Sequence, residues 1–270
     1  MFGVGVGIRV GGRTAVSGGG GFDPDYQAVL NYATSQGYTL PSAGQQTLQN
    51  QLLIDLKNAG IWNKLDSFRV YATNGSSSYA LIDWKRLVLC TAVNSPTFTT
   101  NVGYKGDGTS SYINSNFTPS TNGVNYSLDS ASIFAYVSSV RTSGQIQAYQ
   151  GLFFGSSWIL LSAGTNAIGE SYVNSVSGVS NVITGIGFQI VNRTNSTTQN
   201  VYYQGSLQNT NSASASVSLP TGTLWDFAAN NNSTGTFFAD VGSAIVGYGA
   251  NLTAEQSDFN NAVNAYMTSI

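Results

Sequence analysis

The acidic residues are the first candidates for chemistry in this sequence, because it contains no histidine. Histidine is the commonest general base and the commonest zinc ligand, so acid–base work is left to carboxylates and lysines. The glutamates are Glu170 and Glu255. Glu255 is expected in the first turn of a helix, where it complements the helix dipole. Glu170 remains as the candidate for a lone catalytic acid.

Catalysis by Glu170 would need a second carboxylate, and the sequence shows none at a short spacing from Glu170. Glycoside hydrolysis normally needs two carboxylates placed across the scissile bond. No second acid forms a short cluster with Glu170. We therefore expect Glu170 to be a solvated strand carboxylate, we assign no catalytic residue, and we expect that the protein is not an enzyme.

Metal binding has one weak candidate, Asp107, in the glycine turn at residues 106–109. Calcium needs several converging oxygen ligands, and one aspartate between glycines is usually a turn residue. The single cysteine, Cys90, lies in an apolar run and is typical of a small core residue. We predict no metal and no cofactor.

The first 21 residues are rich in glycine and could hold phosphate or serve as a tether. Gly5 and Gly7 begin a G-x-G-x-x-G spacing, but Val10 stands where the third glycine is needed. Arg9 and Arg13 follow the apolar stretch, whereas a signal peptide has its basic residues first. Apolar residues alternate mostly with glycine, which favours an extended arm added to a partner's surface. The residues predicted to anchor this arm are Phe2, Val4, Val6, Ile8, Arg9 and Arg13.

Residues 22–66 have a helical period. Asp23 and Pro24 are typical of the start of a helix that ends at Gly37. Ser42 and Gln45 have the spacing of a capping box before a second, leucine-lined helix. The sequence therefore predicts a helical hairpin, or adaptor, that must bury its apolar face against another element.

Residues 67–270 have short alternating or apolar runs bounded by glycine, asparagine, serine and aspartate, which is typical of antiparallel strands. Two of these predicted strands cover residues 79–84 and 97–104. Ten or more strands at this spacing predict a mainly β, two-sheet jelly-roll sandwich. Thr253 and Gln256 predict a second capping box, followed by a short C-terminal helix with Phe259 on its buried face.

Composition limits the partners of this 270-residue chain. Charged residues make up 8% of it, far below the roughly 25% of typical soluble domains. The net charge is −2, and the ten basic residues are scattered, so we expect no binding to nucleic acid. No apolar run approaches the roughly 18 residues of a membrane-spanning helix, so we expect no membrane insertion.

Aromatic residues are abundant, at 12% of the sequence. Exposed tyrosine and tryptophan side chains form contact surfaces for sugars and proteins, although most aromatic residues of a sandwich are in its core. The residues singled out as ligand contacts are Tyr112, Tyr202, Tyr203 and Trp225.

Two stretches resemble concanavalin A-like and laminin G-like sandwich domains. Residues 102–117 (VGYKGDGTSSYINSNF) resemble the early strand–turn–strand of that family, and residues 244–266 look like its last strand and helix. The unit at 26–65 is similar to a helical lead-in of virion proteins from phages that infect Bacteroidota. In those proteins a glycine-rich N-terminus, this unit and a lectin-like sandwich follow one another. The lectins of this class bind metal with an acidic cluster and a histidine. This sequence contains no histidine, so their metal site does not transfer to it.

The resemblance implies a virion surface protein of the spike, tail or head-fibre type. Residues 1–21 would be its anchoring arm, 22–66 the helical adaptor and 67–270 the lectin-like sandwich. The implied partners are other virion proteins, copies of the same chain in a homo-oligomer, with a trimer favoured, and a glycan or protein of the host cell surface. The protein would be made in the bacterial cytoplasm and end on the virion surface. The alternatives are a polysaccharide-cleaving enzyme on the same fold and a purely structural capsid or tail component.

Overall fold

The computed structural model describes residues 21–142, 146–163, 169–181, 183 and 185–270. The helices are α1 (Pro24–Ser35), α2 (Ala43–Asn58), α3 (Ser77–Ala80), α4 (Pro119–Asn122) and α5 (Gln256–Met267), with 3-10 turns at Trp62–Lys64 and Thr253–Glu255. The strands are β1 (Leu65–Val70), β2 (Ile82–Asp83), β3 (Val88–Leu89), β4 (Thr91–Val93), β5 (Thr97–Thr99), β6 (Gly103–Lys105), β7 (Tyr112–Asn114), β8 (Ala131–Ser139), β9 (Gln147–Phe154), β10 (Ser157–Ala163), β11 (Gly169–Ser175), β12 (Val179–Asn181), β13 (Gly187–Arg193), β14 (Gln199–Tyr203), β15 (Ser206–Asn211), β16 (Trp225–Asp226), β17 (Ala229–Asn231), β18 (Thr234–Thr236) and β19 (Gly242–Gly249).

Two large sheets form the sandwich, which confirms the predicted fold class. The first sheet has the order β15-β14-β13-β8-β19-β6-β5, and β1 also pairs with β19. The second sheet has the order β12-β11-β10-β9-β16-β7-β4, and the hairpin β17–β18 joins it at β9. The strand pairs are antiparallel except that of β17 with β9, within the part of the chain that the structure describes. Nowhere in that part is a helix long and apolar enough to cross a membrane.

The central strands of the first sheet, β8 and β19, are buried on both faces. Ile133 and Ala135 of β8 lie in the cluster between the two sheets, whereas Phe134 lies in the cluster shared with the helices. Val246 and Ile245 of β19 divide in the same way. Because side chains alternate between the two faces of a strand, the helices must cover the outer face of this sheet. The apolar faces of α1, α2 and α5 meet that requirement.

The N-termini of α1 and α2 begin where the sequence predicts. The Asp23 carboxylate accepts a bond from the backbone N–H of Asp25, and Ser42 Oγ accepts one from that of Gln45. The capping box at Ser42 is only half formed. The Gln45 side chain does not return to the backbone of Ser42 but accepts bonds from residues 73 and 74, which ties α2 to the segment after β1.

The second predicted capping box, at Thr253 and Gln256, is wrong. A 3-10 turn precedes α5, no side chain caps the helix, and the Gln256 amide donates to the Leu252 carbonyl. Glu255 pairs instead with Lys64 at 2.6 Å. The predicted apolar face is confirmed, since Phe259, Val263 and Tyr266 are all buried.

Two predicted strands also differ from the structure. Residues 77–80 form the short helix α3 instead of a strand, because Ser76 Oγ caps the N–H of Tyr79. Residues 97–104 form the hairpin β5–β6 instead of one strand. Its turn uses Asn101 with a φ of +61°, a conformation that asparagine tolerates better than most residues.

A buried ion pair joins the two sheets. Arg69 of β1 and Asp226 of β16 are fully buried, and Arg69 Nη1 lies 2.9 Å from Asp226 Oδ2. Tyr71 Oη and Gln150 Nε2 also donate to the Asp226 carboxylate, at 2.6 Å and 3.0 Å. Burial alone would lower the pKa of Arg69, but the Asp226 charge raises it above its usual value. Arg69 is therefore charged inside the core, and its charge is balanced there.

Candidate functional site

A cavity of about 670 Å³ lies on the second sheet and is lined by residues of β9, β10, β11 and the hairpin β17–β18, whose strand β17 pairs with β9. Four of the residues that line it are aromatic and one, Glu170, is charged, among those that the structure describes. A concave, mostly apolar site with a few polar groups is the usual form of a ligand site. The lining residues are Ile146, Phe153, Trp158, Leu160, Ser162, Glu170, Tyr172, Asn231, Thr236 and Phe237.

Strand alternation places these side chains on the outer face of the second sheet. Leu152 and Val173 belong to the cluster between the sheets. Their neighbours Phe153 and Tyr172 belong to a separate cluster with Leu160 on the opposite face. Outward positions of a two-sheet sandwich are normally polar. Here three of them, Phe153, Trp158 and Tyr172, are aromatic, so this face offers an apolar contact surface.

Four rings form one continuous apolar wall. The Trp158 ring lies 5.1 Å from the Phe153 ring and 5.4 Å from the Tyr172 ring, between centroids. The Phe237 ring lies 5.7 Å from the Phe153 ring, edge to face. Phe237 is 41% exposed, so its ring stands at the edge of the cavity. These separations are those of favourable aromatic pairs.

The hairpin β17–β18 forms a second wall. Its two-residue turn is Asn232–Ser233, with φ values of +49° and +70°, as a type I′ turn requires. Gly151 of β9 permits the hairpin to approach, because a Cβ there would lie 2.7 Å from the Cβ of Ala229. Phe237 follows the hairpin with a φ of +52°, which is strained for a bulky residue.

The polar group of the cavity is a hydrogen-bonded pair of side chains. The Tyr172 hydroxyl donates to Oε2 of Glu170, and the Ser162 hydroxyl donates to the Glu170 carbonyl at 2.7 Å. Burial, then the hydrogen bond and charge of Glu170, raise the pKa of Tyr172. The Tyr172 ring fits beside Gly178, where a Cβ would lie 2.8 Å from Tyr172 Cζ. The pair therefore presents one oriented carboxylate beside a neutral phenol.

The aromatic residues singled out in the sequence lie elsewhere. Tyr112 and Trp225, on the adjacent strands β7 and β16, stack at 3.8 Å between centroids. Tyr202 and Tyr203 are on β14 of the other sheet, where Tyr202 packs against the helices and the Tyr203 hydroxyl donates to the Ile186 carbonyl. The structure joins the first pair and separates it from the second. Ligand contact by these four residues stays a prediction.

The Asp107 carboxylate stabilises the turn in which it lies. Its Oδ1 accepts bonds from the N–H groups of Thr109, Ser110 and Ser111 at 2.8–2.9 Å, and its Oδ2 accepts the Ser110 hydroxyl at 2.9 Å. Burial raises the pKa of the Asp107 carboxyl, but these backbone donors lower it below its usual value. In the described part of the chain, no three cysteine, aspartate or glutamate side chains are grouped as a metal site requires.

The predicted anchoring residues lie outside the described residues, which begin at Gly21. They are Phe2, Val4, Val6, Ile8, Arg9 and Arg13. Their role stays a prediction.

The sequence singles out Glu170 but predicts a solvated strand carboxylate there, and it does not predict the rings that line the cavity with it. Phe153, Trp158 and Tyr172 were hidden among the core aromatics because their strands were not assigned to faces. The available signal was the apolar run 158–161, in which both faces of one strand are hydrophobic. Phe237 gave no signal, since it comes to the cavity from a different part of the chain.

Comparison with protein-family models and with curated proteins gives no match. Solved structures do match. A Trypanosoma rangeli sialidase in complex with 2-keto-3-deoxy-D-glycero-D-galacto-2,3-difluoro-nononic acid has a TM-score of 0.54 at 12% identity, over 81% of this chain and 39% of that chain. The same sialidase with 2,3-difluorosialic acid has a TM-score of 0.53 at 13% identity, over 82% and 40%. The botulinum neurotoxin serotype D binding domain has a TM-score of 0.51 at 10% identity, over 76% and 53%.

These likenesses establish the fold, and this chain spans only about two fifths of the sialidases and half of the toxin domain. They agree with the sandwich part of the sequence resemblance, whereas a phage origin stays a prediction. They contradict the expectation that the protein is not an enzyme, because enzymes are among the structures that share its fold. Catalysis therefore returns below as a second candidate function.

Proposed function

We propose that this protein is a surface-attachment protein whose sandwich binds carbohydrate in the cavity formed by β9, β10, β11 and the hairpin β17–β18. The observation that carries the proposal is the wall of four aromatic rings beside one oriented carboxylate. The C–H faces of sugar rings are apolar and pack on aromatic side chains. Sugar hydroxyls then have hydrogen-bonding partners in Glu170, Asn231 and Thr236 at the same cavity.

The size of the cavity supports a small ligand or the end of a chain. Ligand pockets are commonly about 300–1,000 Å³, and this cavity is about 670 Å³. The charge of Glu170 disfavours acidic sugars, because the described lining residues hold no cation to balance a second carboxylate. The sialic acid ligands of the matched sialidases are therefore not expected here, and neutral or basic sugars fit better.

The setting proposed for this activity is the surface of a virion. The support is the order of a glycine-rich segment, a helical unit and a lectin-like sandwich, which resembles phage spike and fibre proteins. In this setting residues 1–21 attach the protein to other virion proteins, the chain forms a homo-oligomer, with a trimer favoured, and the cavity contacts a host glycan. A capsid or tail component without a receptor is the outcome if no surface ligand is found.

A glycan array tests the proposal. Labelled wild-type protein is expected to bind a defined subset of neutral or basic glycans. Trp158→Ala is expected to lose roughly 5- to 150-fold in affinity, since stacking on one aromatic ring contributes roughly 1–3 kcal/mol. Leu207→Ala is the matched control, because Leu207 is an exposed apolar residue on β15 of the other sheet. Equal glycan binding by wild type and Trp158→Ala, or no binding by wild type, would contradict the proposal.

Glycoside cleavage in the same cavity is the second candidate, and the Tyr172–Glu170 hydrogen bond is the observation that favours it. When a tyrosine hydroxyl donates to a glutamate, the tyrosine has the arrangement of a nucleophile and the glutamate that of its general base. Some glycosidases use a tyrosine in place of the second carboxylate. Incubation with array-positive oligosaccharides, followed by mass spectrometry of the products, tests it. Cleavage that Tyr172→Phe abolishes would support this candidate, and recovery of intact oligosaccharide would exclude it.

A further inference from the structure

We infer that the ligand enters the cavity with a positively charged organic ammonium group. This inference rests on the proposed function and specifies the chemistry of the ligand. Its basis is the combination of ring faces with a single anionic group. The face of an aromatic ring carries negative electrostatic potential, and a cation within about 6 Å of the ring centre is attracted to it.

The rings surround one volume from several directions. Trp158 is inclined at 59° to Phe153 and at 67° to Tyr172, and Phe237 is nearly perpendicular to Phe153 at 89°. Rings inclined in this way present faces and edges to a common space, whereas a flat stack would offer one platform. Trp158 is the residue type that binds cations best through its face.

Glu170 supplies the full negative charge. The Tyr172 hydroxyl donates to its Oε2, which orients the carboxylate, and Oε1 takes no part in that bond. The described lining residues include no lysine or arginine, so none of them neutralises the charge of Glu170. An ammonium group with apolar substituents satisfies both features, because its charge pairs with Glu170 and its carbon atoms contact the rings.

Two sources can supply this chemistry, an amino sugar and a choline-type headgroup. The test titrates the full chain with each cation and with a neutral partner of matched shape, by isothermal titration calorimetry or NMR. The pairs are glucosamine with N-acetylglucosamine, and choline with 3,3-dimethylbutan-1-ol. At least one cation is expected to bind about tenfold more tightly than its neutral partner, and the member of the pair that shows the preference identifies the source.

The variant Glu170→Gln keeps the shape of the side chain and removes its charge. It is expected to lower the affinity for the cation by about tenfold more than the affinity for its neutral partner, and so to abolish the preference for the cation. Asp258→Asn is the control, because it removes one exposed negative charge on α5, outside the residues that line the cavity. The control is expected to keep the preference.

The failures of the two proposals are distinguishable. Equal affinity within both pairs, or a preference that survives in Glu170→Gln, overturns the cation inference, and so does the absence of binding by all four probes. The glycan array with Trp158→Ala decides the proposed carbohydrate function separately. Array binding that depends on Trp158 while the cation preference is absent leaves the function standing and removes this inference.

Discussion

At the scale of single residues, some of the few charges of the chain lie in the core and at the cavity. Arg69 and Asp226 are fully buried between the sheets, and Glu170 is the sole charged residue among the described residues lining the cavity. Residue types and spacing drew attention to Glu170, because glutamate occurs twice in the whole chain, but predicted a solvated strand carboxylate there. They did not identify the Arg69–Asp226 pair, because its members are 157 residues apart and only the fold brings them together.

Replacing Asp226 with alanine is expected to destabilise the protein by about 3–5 kcal/mol, because it leaves the Arg69 guanidinium buried without its counter-charge. Urea unfolding followed by circular dichroism measures the effect. Asp258→Ala, on the exposed surface of α5, is expected to cost less than about 1 kcal/mol. Similar losses in the two variants would show that Asp226 does not balance a buried charge.

Cys90 is expected to be inert in the folded protein. Burial raises the pKa of its thiol to about 11 from an ordinary value of 9.0. Between these two pH values the unfolded thiol ionises while the folded thiol stays protonated, so ionisation favours the unfolded state and stability falls as the pH rises. The measurements are labelling with a thiol reagent at pH 8, with and without urea, and unfolding of wild type and Cys90→Ala at pH 8 and pH 10. Stoichiometric labelling of the folded protein within minutes, or an equal loss in stability in both proteins, would contradict this account.

At the scale of elements, the sequence predicts the starts of α1 and α2 and the face of α5, because these depend on local signals. Ser42 and Asp23 cap their helices as expected. The box at Thr253 fails because residues 253–255 form a 3-10 turn, which moves the start of α5. The faces of β9, β10 and β11 could not be assigned, since apolar side chains lie on both sides of them.

The approach of β17 to β9 depends on Gly151. Gly151→Ala places a Cβ 2.7 Å from the Ala229 Cβ, so we expect the hairpin to shift, with a loss of about 1–3 kcal/mol and weaker binding in the cavity. Thermal unfolding and the glycan array measure the two effects. Gly44→Ala is the control, because nothing lies within 4 Å of a Cβ at that position of α2. Unchanged binding in Gly151→Ala would show that the hairpin does not shape the site.

At the scale of the whole molecule, the helices and the sandwich share one buried cluster. Phe68, Phe134 and Ile245 of the first sheet pack with the apolar faces of the helices. The sequence predicts that the helical unit needs a surface to cover, because it is too small to fold alone. Which face of which sheet it covers follows only from the alternation of strands that are distant in the chain.

A fragment of residues 67–270 is therefore expected to expose that face, to bind a hydrophobic dye and to aggregate, whereas residues 22–270 unfold in one cooperative step. Size-exclusion chromatography and calorimetry of both fragments check this expectation. A monomeric 67–270 fragment with a sharp thermal transition would show that the sandwich is stable without its helical cover.

The most direct test of the central claim is a crystal structure of the protein with the glycan that binds best on the array. The ligand is expected to lie against Trp158, Phe153 and Phe237, with its polar or charged group at Glu170. A ligand bound at the stacked pair Tyr112–Trp225, or on the sheet that carries Tyr202 and Tyr203, would contradict the assignment of this cavity as the binding site.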